Sequence, residues 1–277
     1  MPANFTAMDI PAPTPDFSRL VAAREHDPFS LLGAHRDGAQ WALRVFNPYA
    51  ESVELDCAGA AVALARIHPD GVFEWRGAAA PALPCALRVT VQGCTRRVHD
   101  PYAFPPEPAT DDLFLFNEGS NYQVYRLLGA HVQTRRDIPG ICFRAWAPNA
   151  ERVSVVGDFN RWDGRVHQMA TLGASGIWEL FVPDLTAGTL YKFEIRNRDS
   201  GAVLVKTDPY AQSFELRPAT AARVCAPSEY ASNDADWLAR RAQWDWLHAP
   251  IAIYEVHLGS WRRHPDGRCY TDRELAQ

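Results

Sequence analysis

Two pairs of aspartates are the residues whose types and spacing could support acid–base chemistry in this sequence. Catalysis of this kind needs two carboxyl groups facing one cleft, so that one takes up a proton while the other releases one. Asp111 and Asp112 are adjacent, and adjacent side chains of an extended segment face opposite ways. Asp158 and Asp163 lie in turn sequence, where an aspartate bonds to nearby backbone. We therefore predict a structural role for both pairs.

Histidines are the next candidates for chemistry, either as metal ligands or as titrating groups. His35 and His131 stand at the same place in two similar stretches of sequence, which favours a shared turn or core hydrogen bond over a ligand role. Glu255 and His257 alternate on one face of a predicted strand, and we expect a structural polar role for both.

The six cysteines are widely spread, with no C-x-x-C and no paired Cys/His spacing. This pattern predicts no zinc site, and we expect no cofactor. Scattered thiols are typical of reduced cytosolic proteins, and the N-terminus has no charged region followed by an apolar core. We predict a cytoplasmic protein.

Composition excludes two classes of partner. The chain has 277 residues and a net charge of −5, with no basic stripe that would follow a phosphate backbone, so we expect no nucleic acid. It has no run of about 18 apolar residues, which excludes a membrane span. Nine tryptophans and 21 prolines suit β-rich modules that bind flat apolar faces such as those of sugars.

The elements that position these residues form an internal repeat. Four segments of the first half recur in the same order about 100 residues later, which predicts two homologous domains in tandem. The matched segments are Leu31–His35 with Leu127–His131, Phe46–Leu55 with Trp146–Val155, Gly71–Trp75 with Gly176–Leu180, and Asp100–Phe104 with Asp208–Ala211.

Each copy consists of short apolar stretches separated by turn residues, with almost no helical period. Strand-like segments end at Pro48 and Pro148, because proline cannot donate to a ladder, and Asn197–Gly201 is a hairpin signal. About seven strands a copy predict two tandem immunoglobulin-like β-sandwiches. After them we expect a short docking helix or an irregular wrap within Asp234–Leu247, and a strand over Ile251–Leu258.

A helix start follows at Thr271, which has Glu274 three residues later as in a capping box. One strand followed by the beginning of one helix is not a foldable unit, so we expect the chain to be a truncated piece of something longer.

Three motifs give the chain a family resemblance: Asp27–His35, Gly157–Trp162 and Tyr254–Trp261. Together they resemble the bacterial glycogen (1,4-α-glucan) branching enzymes of the α-amylase superfamily. Residues 1–16 hold four prolines, which predicts a disordered leader. The resemblance implies an N-terminal β-sandwich over 17–110 and a glycogen-binding-type carbohydrate-binding module over 111–228. It implies that 229–277 holds a connector and the first strand of a truncated catalytic β/α (TIM-type) barrel.

The chemistry implied by the family is a retaining transglycosylation. One carboxylate attacks the anomeric carbon of an α-1,4 bond, a carboxylic acid protonates the leaving oxygen, and a glucan 6-hydroxyl accepts the chain, forming an α-1,6 branch. The family's carboxylates belong to later barrel strands, and no position here matches their motifs, so no catalytic residue is assigned and the fragment is predicted to be inactive. The alternatives are a debranching enzyme or maltooligosyl-trehalose hydrolase of the same superfamily, and a free-standing carbohydrate-binding protein.

The resemblance also implies where α-1,4-glucan, the expected partner of a monomeric chain, would bind. Trp162 and Lys192 match positions that bind glucan in relatives of the second domain, and Tyr270 near the barrel entrance is a third candidate. Relatives place another aromatic residue in the hairpin that here reads Gly201–Leu204, so core or interface packing of Trp162 is the alternative.

The remaining tryptophans and the first domain are assigned other roles. The first domain carries 56–59 in place of the Gly157–Asn160 turn, and we expect it to be a scaffold. Packing roles are predicted for Trp178, Trp237, Trp244 and Trp246, while Trp261 is left undecided.

Overall fold

The computed structural model describes residues 15–57, 60–107, 110–226 and 231–276, and it is mainly β. The predicted leader over 1–16 lies outside the described residues except for its last two. The strands are β1 Gly33–Asp37, β2 Gln40–Phe46, β3 Ser52–Cys57, β4 Ala60–Ala63, β5 Ala65–His68, β6 Val72–Gly77, β7 Ala86–Val91, β8 Cys94–His99, β9 Gly129–Arg135, β10 Ile138–Trp146, β11 Ala150–Gly157, β12 Ala170–Thr171, β13 Ile177–Pro183, β14 Leu190–Asn197, β15 Val203–Lys206, β16 Ser213–Phe214 and β17 Ala222–Arg223. The α-helices are α1 Ser18–Val21, α2 Thr110–Glu118, α3 Ala235–Gln243, α4 Leu258–Trp261 and α5 Asp272–Leu275.

The chain divides into one unit over Met1–Pro227 and a second over Ser228–Gln277.

The first sandwich consists of two antiparallel sheets with strand orders β1-β2-β6-β5 and β4-β3-β7-β8. Their inward side chains form one apolar core, which includes Leu43, Val53, Phe73 and Leu87. Inward and outward residues alternate along each strand, so the apolar positions of the sequence face one another across the two sheets.

The second sandwich has the same arrangement, which confirms the predicted pair of β-sandwiches. Its sheets have the orders β12-β13-β10-β9 and β11-β14-β17-β16, and β15 also pairs with β14. The sheet β9-β10-β13-β12 repeats β1-β2-β6-β5 strand for strand. Each copy has a glycine with positive φ, Gly71 in the first and Gly176 in the second. The carbonyl oxygen of this glycine accepts a hydrogen bond from the backbone N–H of the residue that follows β2 or β10. The distances are 2.9 Å from Asn47 N to Gly71 O and 2.8 Å from Ala147 N to Gly176 O.

The hairpin expected at Asn197–Gly201 joins β14 to β15. The Asn197 side chain closes it, because its Oδ1 accepts hydrogen bonds from the backbone N–H of Asp199 at 3.0 Å and of Ser200 at 2.9 Å. This is the local side-chain bond that makes asparagine a turn residue.

The two sandwiches pack against each other through a continuous apolar cluster. Leu20, Phe46 and Tyr102 belong to the cluster that forms the core of the second sandwich. Gln168 adds polar contacts, since its Nε2 donates to Leu20 O at 2.9 Å and its backbone O accepts from Tyr102 Oη at 3.1 Å. Loops of the first sandwich are therefore fixed against loops of the second.

The second unit is helical where it is regular. A helix is present within Asp234–Leu247 as α3, but none of its residues is buried, so the expected docking is not observed. Thr271 is the N-cap of α5, and its Oγ1 accepts from the Glu274 N–H at 3.4 Å. The strand predicted over Ile251–Leu258 is wrong for its described residues: 251–257 have no regular structure and Leu258 begins α4. A strand is held by hydrogen bonds to a neighbouring strand, and within 231–276 none is present beside it.

Candidate functional site

A loop between β11 and β12, Gly157–Asp163, carries the main candidate residue, Trp162. The loop begins at Gly157, where an added Cβ would overlap the Leu190 carbonyl oxygen and the Phe159 ring. Only glycine therefore fits at position 157. Arg161 and Trp162 both have left-handed φ values, 59° and 58°, which turn the chain so that the indole projects from the loop.

Asn160 holds the loop from inside. Its Oδ1 accepts from the Gly157 N–H at 3.0 Å, and its Nδ2 donates to Val155 O at 2.9 Å. The same amide lies 2.9 Å from His167 Nδ1. Burial lowers the pKa of His167 to about 4, so the ring is neutral near pH 7 and its Nδ1 accepts this hydrogen bond. A satisfied, buried amide makes the loop rigid.

Trp162 is 38% exposed, and its Nε1 donates to Asp158 Oδ1 at 2.8 Å. The indole is thus held at its polar edge while part of its ring meets solvent. An orientated, partly exposed aromatic ring is the kind of surface on which the apolar face of a sugar packs.

Lys192 lies on β14, directly opposite Val156 and one register position from Gly157, where the loop begins. Its Nζ donates to Thr220 Oγ1 at 2.8 Å, and the side chain is partly buried. The structure therefore brings Lys192 and the start of the Trp162 loop to the same end of one sheet. An ammonium group has three donors, so Nζ retains donors for a ligand hydroxyl.

The neighbouring strand β15 agrees with the departure noted in the sequence. Val203, Leu204 and Val205 are each about half exposed, at 46%, 47% and 51%, and the hairpin before them holds no aromatic residue. The described residues of this hairpin and of β15 therefore supply no second aromatic ring.

Tyr49, in the first sandwich, is a residue of this site that sequence reasoning missed. Its Oη donates to Asp163 Oδ2 at 2.6 Å, and the Arg161 guanidinium lies 4.4 Å from the centre of its ring. Burial would raise the pKa of Asp163, but hydrogen bonds from Arg165 and Tyr49 outweigh it and lower that pKa, so the carboxylate is charged. The signal available in the sequence was that Tyr49 replaces Asn149 at the matching place of the repeat.

The carboxylate pairs singled out in the sequence have structural surroundings. Asp111 and Asp112 lie in the first turn of α2, which corrects the extended segment assumed from the sequence. The expected turn role of Asp163 is present, since its Oδ1 accepts from the Arg165 N–H at 2.9 Å. Of the 56–59 turn in the first sandwich, residues 58 and 59 lie outside the described residues.

The two repeated histidines make the same hydrogen bond. His35 Nε2 lies 2.9 Å from Leu32 O, and His131 Nε2 lies 2.9 Å from Leu128 O. Carbonyl oxygens only accept, so both rings donate from Nε2. The predicted shared turn hydrogen bond is confirmed.

Tyr270 lies in the second unit, so it is described apart from Trp162 and Lys192. Its ring stacks on His264 at 3.7 Å between centroids, with 19° between planes. Glu255 and His257 are exposed, and His257 Nδ1 lies 2.8 Å from Ser260 Oγ, so their expected place in a strand is not observed.

The tryptophans expected to pack divide into two groups. Trp178 is 2% exposed and donates from Nε1 to Ala147 O at 3.0 Å, as expected. Trp237, Trp244 and Trp246 are 49%, 55% and 66% exposed, so the packing role predicted for them is wrong for the described chain.

Within the described ranges, no cluster of three or more His, Cys, Asp or Glu side chains could hold a metal ion. None of the described helices is long and apolar enough to cross a membrane.

Two protein families match the chain, one for each sandwich. Residues 13–102 match the family described as "alpha-1,4-glucan branching enzyme GlgB, N-terminal domain". Residues 127–211 match the family described as "Carbohydrate-binding module 48 (Isoamylase N-terminal domain)". The second match contains both Trp162 and Lys192.

Curated relatives named 1,4-alpha-glucan branching enzyme GlgB match nearly the whole chain. The protein of Nitrosospira multiformis is 51% identical over 267 residues, and that of Methylobacillus flagellatus is 52% identical over 262 residues. Each match covers 95% of this chain and 36% of the relative, so the chain spans about a third of the length of these relatives. Among solved structures, the pullulanase type I of Bacillus subtilis in complex with maltose is 18% identical, with a TM-score of 0.32, over 72% of this chain and 27% of that one.

Proposed function

We propose that the two sandwiches, which belong to the GlgB N-terminal-domain family and to carbohydrate-binding module family 48, form the glucan-handling N-terminal part of a 1,4-α-glucan branching enzyme. The observation that carries this proposal is the identity of about half of all residues with GlgB relatives over 95% of the chain. The whole enzyme would cleave an α-1,4-glucan and transfer the released chain to a glucose 6-hydroxyl in glycogen biosynthesis.

In this proposal the second sandwich binds the glucan at the Gly157–Asp163 loop. The exposed part of the Trp162 ring packs on the apolar face of a glucose unit, and Lys192 Nζ donates to a ring hydroxyl. Asp158 orients the indole through the 2.8 Å bond from Nε1. Tyr270, in the second unit, is kept as a further candidate contact.

The matched families favour this function over its alternatives. A debranching enzyme or trehalohydrolase accounts for the match at 127–211, but the match at 13–102 is to the N-terminal domain of branching enzymes. A free-standing carbohydrate-binding protein accounts for the binding loop and leaves that first match unexplained.

The remaining features of the proposal rest on the sequence. We retain the domain bounds 17–110, 111–228 and 229–277, a monomer, and a cytoplasmic location without nucleic-acid or membrane partners. Four of the described cysteines, Cys94, Cys142, Cys225 and Cys269, are free thiols, which supports a reducing compartment.

Native gels that contain glycogen test the binding step. Retardation of the full chain in glycogen, but not in dextran, is expected, and Lys192→Met should reduce it. Lys206→Met is the matched control, since Lys206 pairs with Phe193 and so lies on the other face of the sheet from Lys192. A parent chain that migrates equally with and without glycogen would contradict the proposal.

A further inference from the structure

A groove of about 450 Å³ lies between the two sandwiches, beside the Trp162 loop. One wall is the β7–β8 hairpin of the first sandwich, with Gln92 and Arg96, and the other wall holds Asp158 and Arg161. Its size lies within the range of small-molecule sites, about 300–1,000 Å³.

Strand alternation directs Arg96 into this groove. Cys94, Arg96 and Val98 share one face of β8 and all line the groove. Arg97 faces the other way and bonds Asp56, with 3.2 Å between Nε and Oδ2. Two neighbouring arginines on one strand therefore have different environments.

The polar groups of the groove have unused hydrogen-bonding capacity. Among the described residues, no hydrogen bond or ion pair engages the side chain of Arg96 or of Gln92. Asp158 uses Oδ1 for Trp162, and no described donor contacts its Oδ2. Donors thus stand on both walls, with a carboxylate acceptor on one.

The inner surface of the groove is apolar. Val91 and Val98 pack against the core of the first sandwich, and Phe159 packs against the core of the second. Apolar surface edged by free donors and an acceptor complements a pyranose, which has apolar C–H faces and a rim of hydroxyls. A phosphate would require a strongly positive groove. Here the Asp158 carboxylate offsets part of the charge of Arg96 and Arg161, which favours a neutral sugar.

We infer that this groove is a second saccharide subsite, in which Arg96, Gln92 and Asp158 bind the hydroxyls of an α-1,4-linked glucose unit. The inference rests on the proposed function, because it takes the ligand class from it. Asp158 then has a double role, orienting Trp162 with one oxygen and accepting a sugar hydroxyl with the other. A glucan lying on Trp162 would continue between the two sandwiches.

Paired arginine variants test the subsite by the affinity of the full chain for maltoheptaose. Arg96→Ala should weaken binding about tenfold, because a charged donor to the sugar is lost. Arg97→Ala, its neighbour on the opposite face, should change affinity less than about twofold. Both side chains are exposed, so both variants should fold as the parent does.

Cys94 gives an independent readout, because it is an exposed free thiol that lines the groove. Maltoheptaose should slow its alkylation by iodoacetamide, followed by peptide mass spectrometry. Cys225, a partly exposed free thiol that does not line the groove, should react at an unchanged rate and serves as the internal control.

The outcomes separate this subsite from the proposed function. If Trp162→Ala weakens binding while Arg96→Ala leaves the affinity unchanged and maltoheptaose does not protect Cys94, the subsite is overturned and the proposed function stands. If inorganic phosphate protects Cys94 and maltoheptaose does not, the groove is an anion site and the inference is also overturned. If the parent binds no glucan by any readout, the proposed function fails together with it.

Discussion

Trp162→Ala is the perturbation whose size follows most directly from the structure. The residue is 38% exposed, and a tryptophan presents up to about 250 Å² of surface, so about 95 Å² is available to a ligand. A sugar that covers one side of the ring buries about half of this, or about 50 Å². At about 25 cal/mol per Å² the lost contact is worth about 1.2 kcal/mol, an affinity about eightfold weaker.

Isothermal titration of the full chain with maltoheptaose measures this loss. Trp162→Phe retains an apolar face but not the Nε1 bond to Asp158, so its affinity should fall by less than that of the alanine variant. Trp146→Ala is the matched control, because Trp146 is 56% exposed in the same sandwich but lies on the other sheet. Equal affinities for the parent and Trp162→Ala, or an equal loss in Trp146→Ala, would refute the reasoning.

A buried ion cluster, the two turn histidines and the missing carboxylates each give a further prediction. Glu179 is 0% exposed and forms ion pairs with Arg135 at 2.8 Å and Arg144 at 2.7 Å. Glu179→Gln should lower the free energy of unfolding by about 3–5 kcal/mol in urea titrations, because it leaves buried charges without their partner. An unchanged urea midpoint would contradict this. Burial would raise the pKa of Glu179, but the arginines outweigh it and lower that pKa, so the parent should lose this stabilisation only as pH falls below about 4.5. His35→Ala and His131→Ala should each cost about 1 kcal/mol, with similar values because the bonds match; a loss in only one would argue against equivalent roles. The purified chain should leave the iodine stain of amylose unchanged, and new α-1,6 linkages would show that a catalytic carboxylate pair is present.

The repeat made the fold predictable from the sequence. Corresponding strands such as β2 and β10 carry a similar apolar pattern and end two residues before Pro48 and Pro148. Positive-φ glycines at 71 and 176 then set the same turn in both copies. These signals are local, and each can be recognised from a few consecutive residues.

Contacts between distant elements could not be predicted from the sequence in this way. The Tyr49–Asp163 bond joins residues 114 positions apart, and only the packing of the sandwiches brings them to 2.6 Å. The segment Ile251–Leu258 has a strand-like composition, but a strand also needs a partner, and composition says nothing about the partner. Trp162 is a candidate from the sequence because the family resemblance includes its local turn motif, whereas the bond from its Nε1 to Asp158 is seen only in the geometry of the loop.

The first sandwich has a physical role even though it carries no counterpart of the Trp162 turn in sequence. The two ends of the loop are held by different partners: Asp158 accepts the indole N–H, and Asp163 accepts Tyr49 Oη from the other sandwich. A loop fixed at both ends loses less conformational freedom when a ligand arrives, and this lower cost raises affinity without any new contact. In the proposed function, the second sandwich therefore presents Trp162 to the glucan, and the first sandwich holds the Trp162 loop in place through Tyr49.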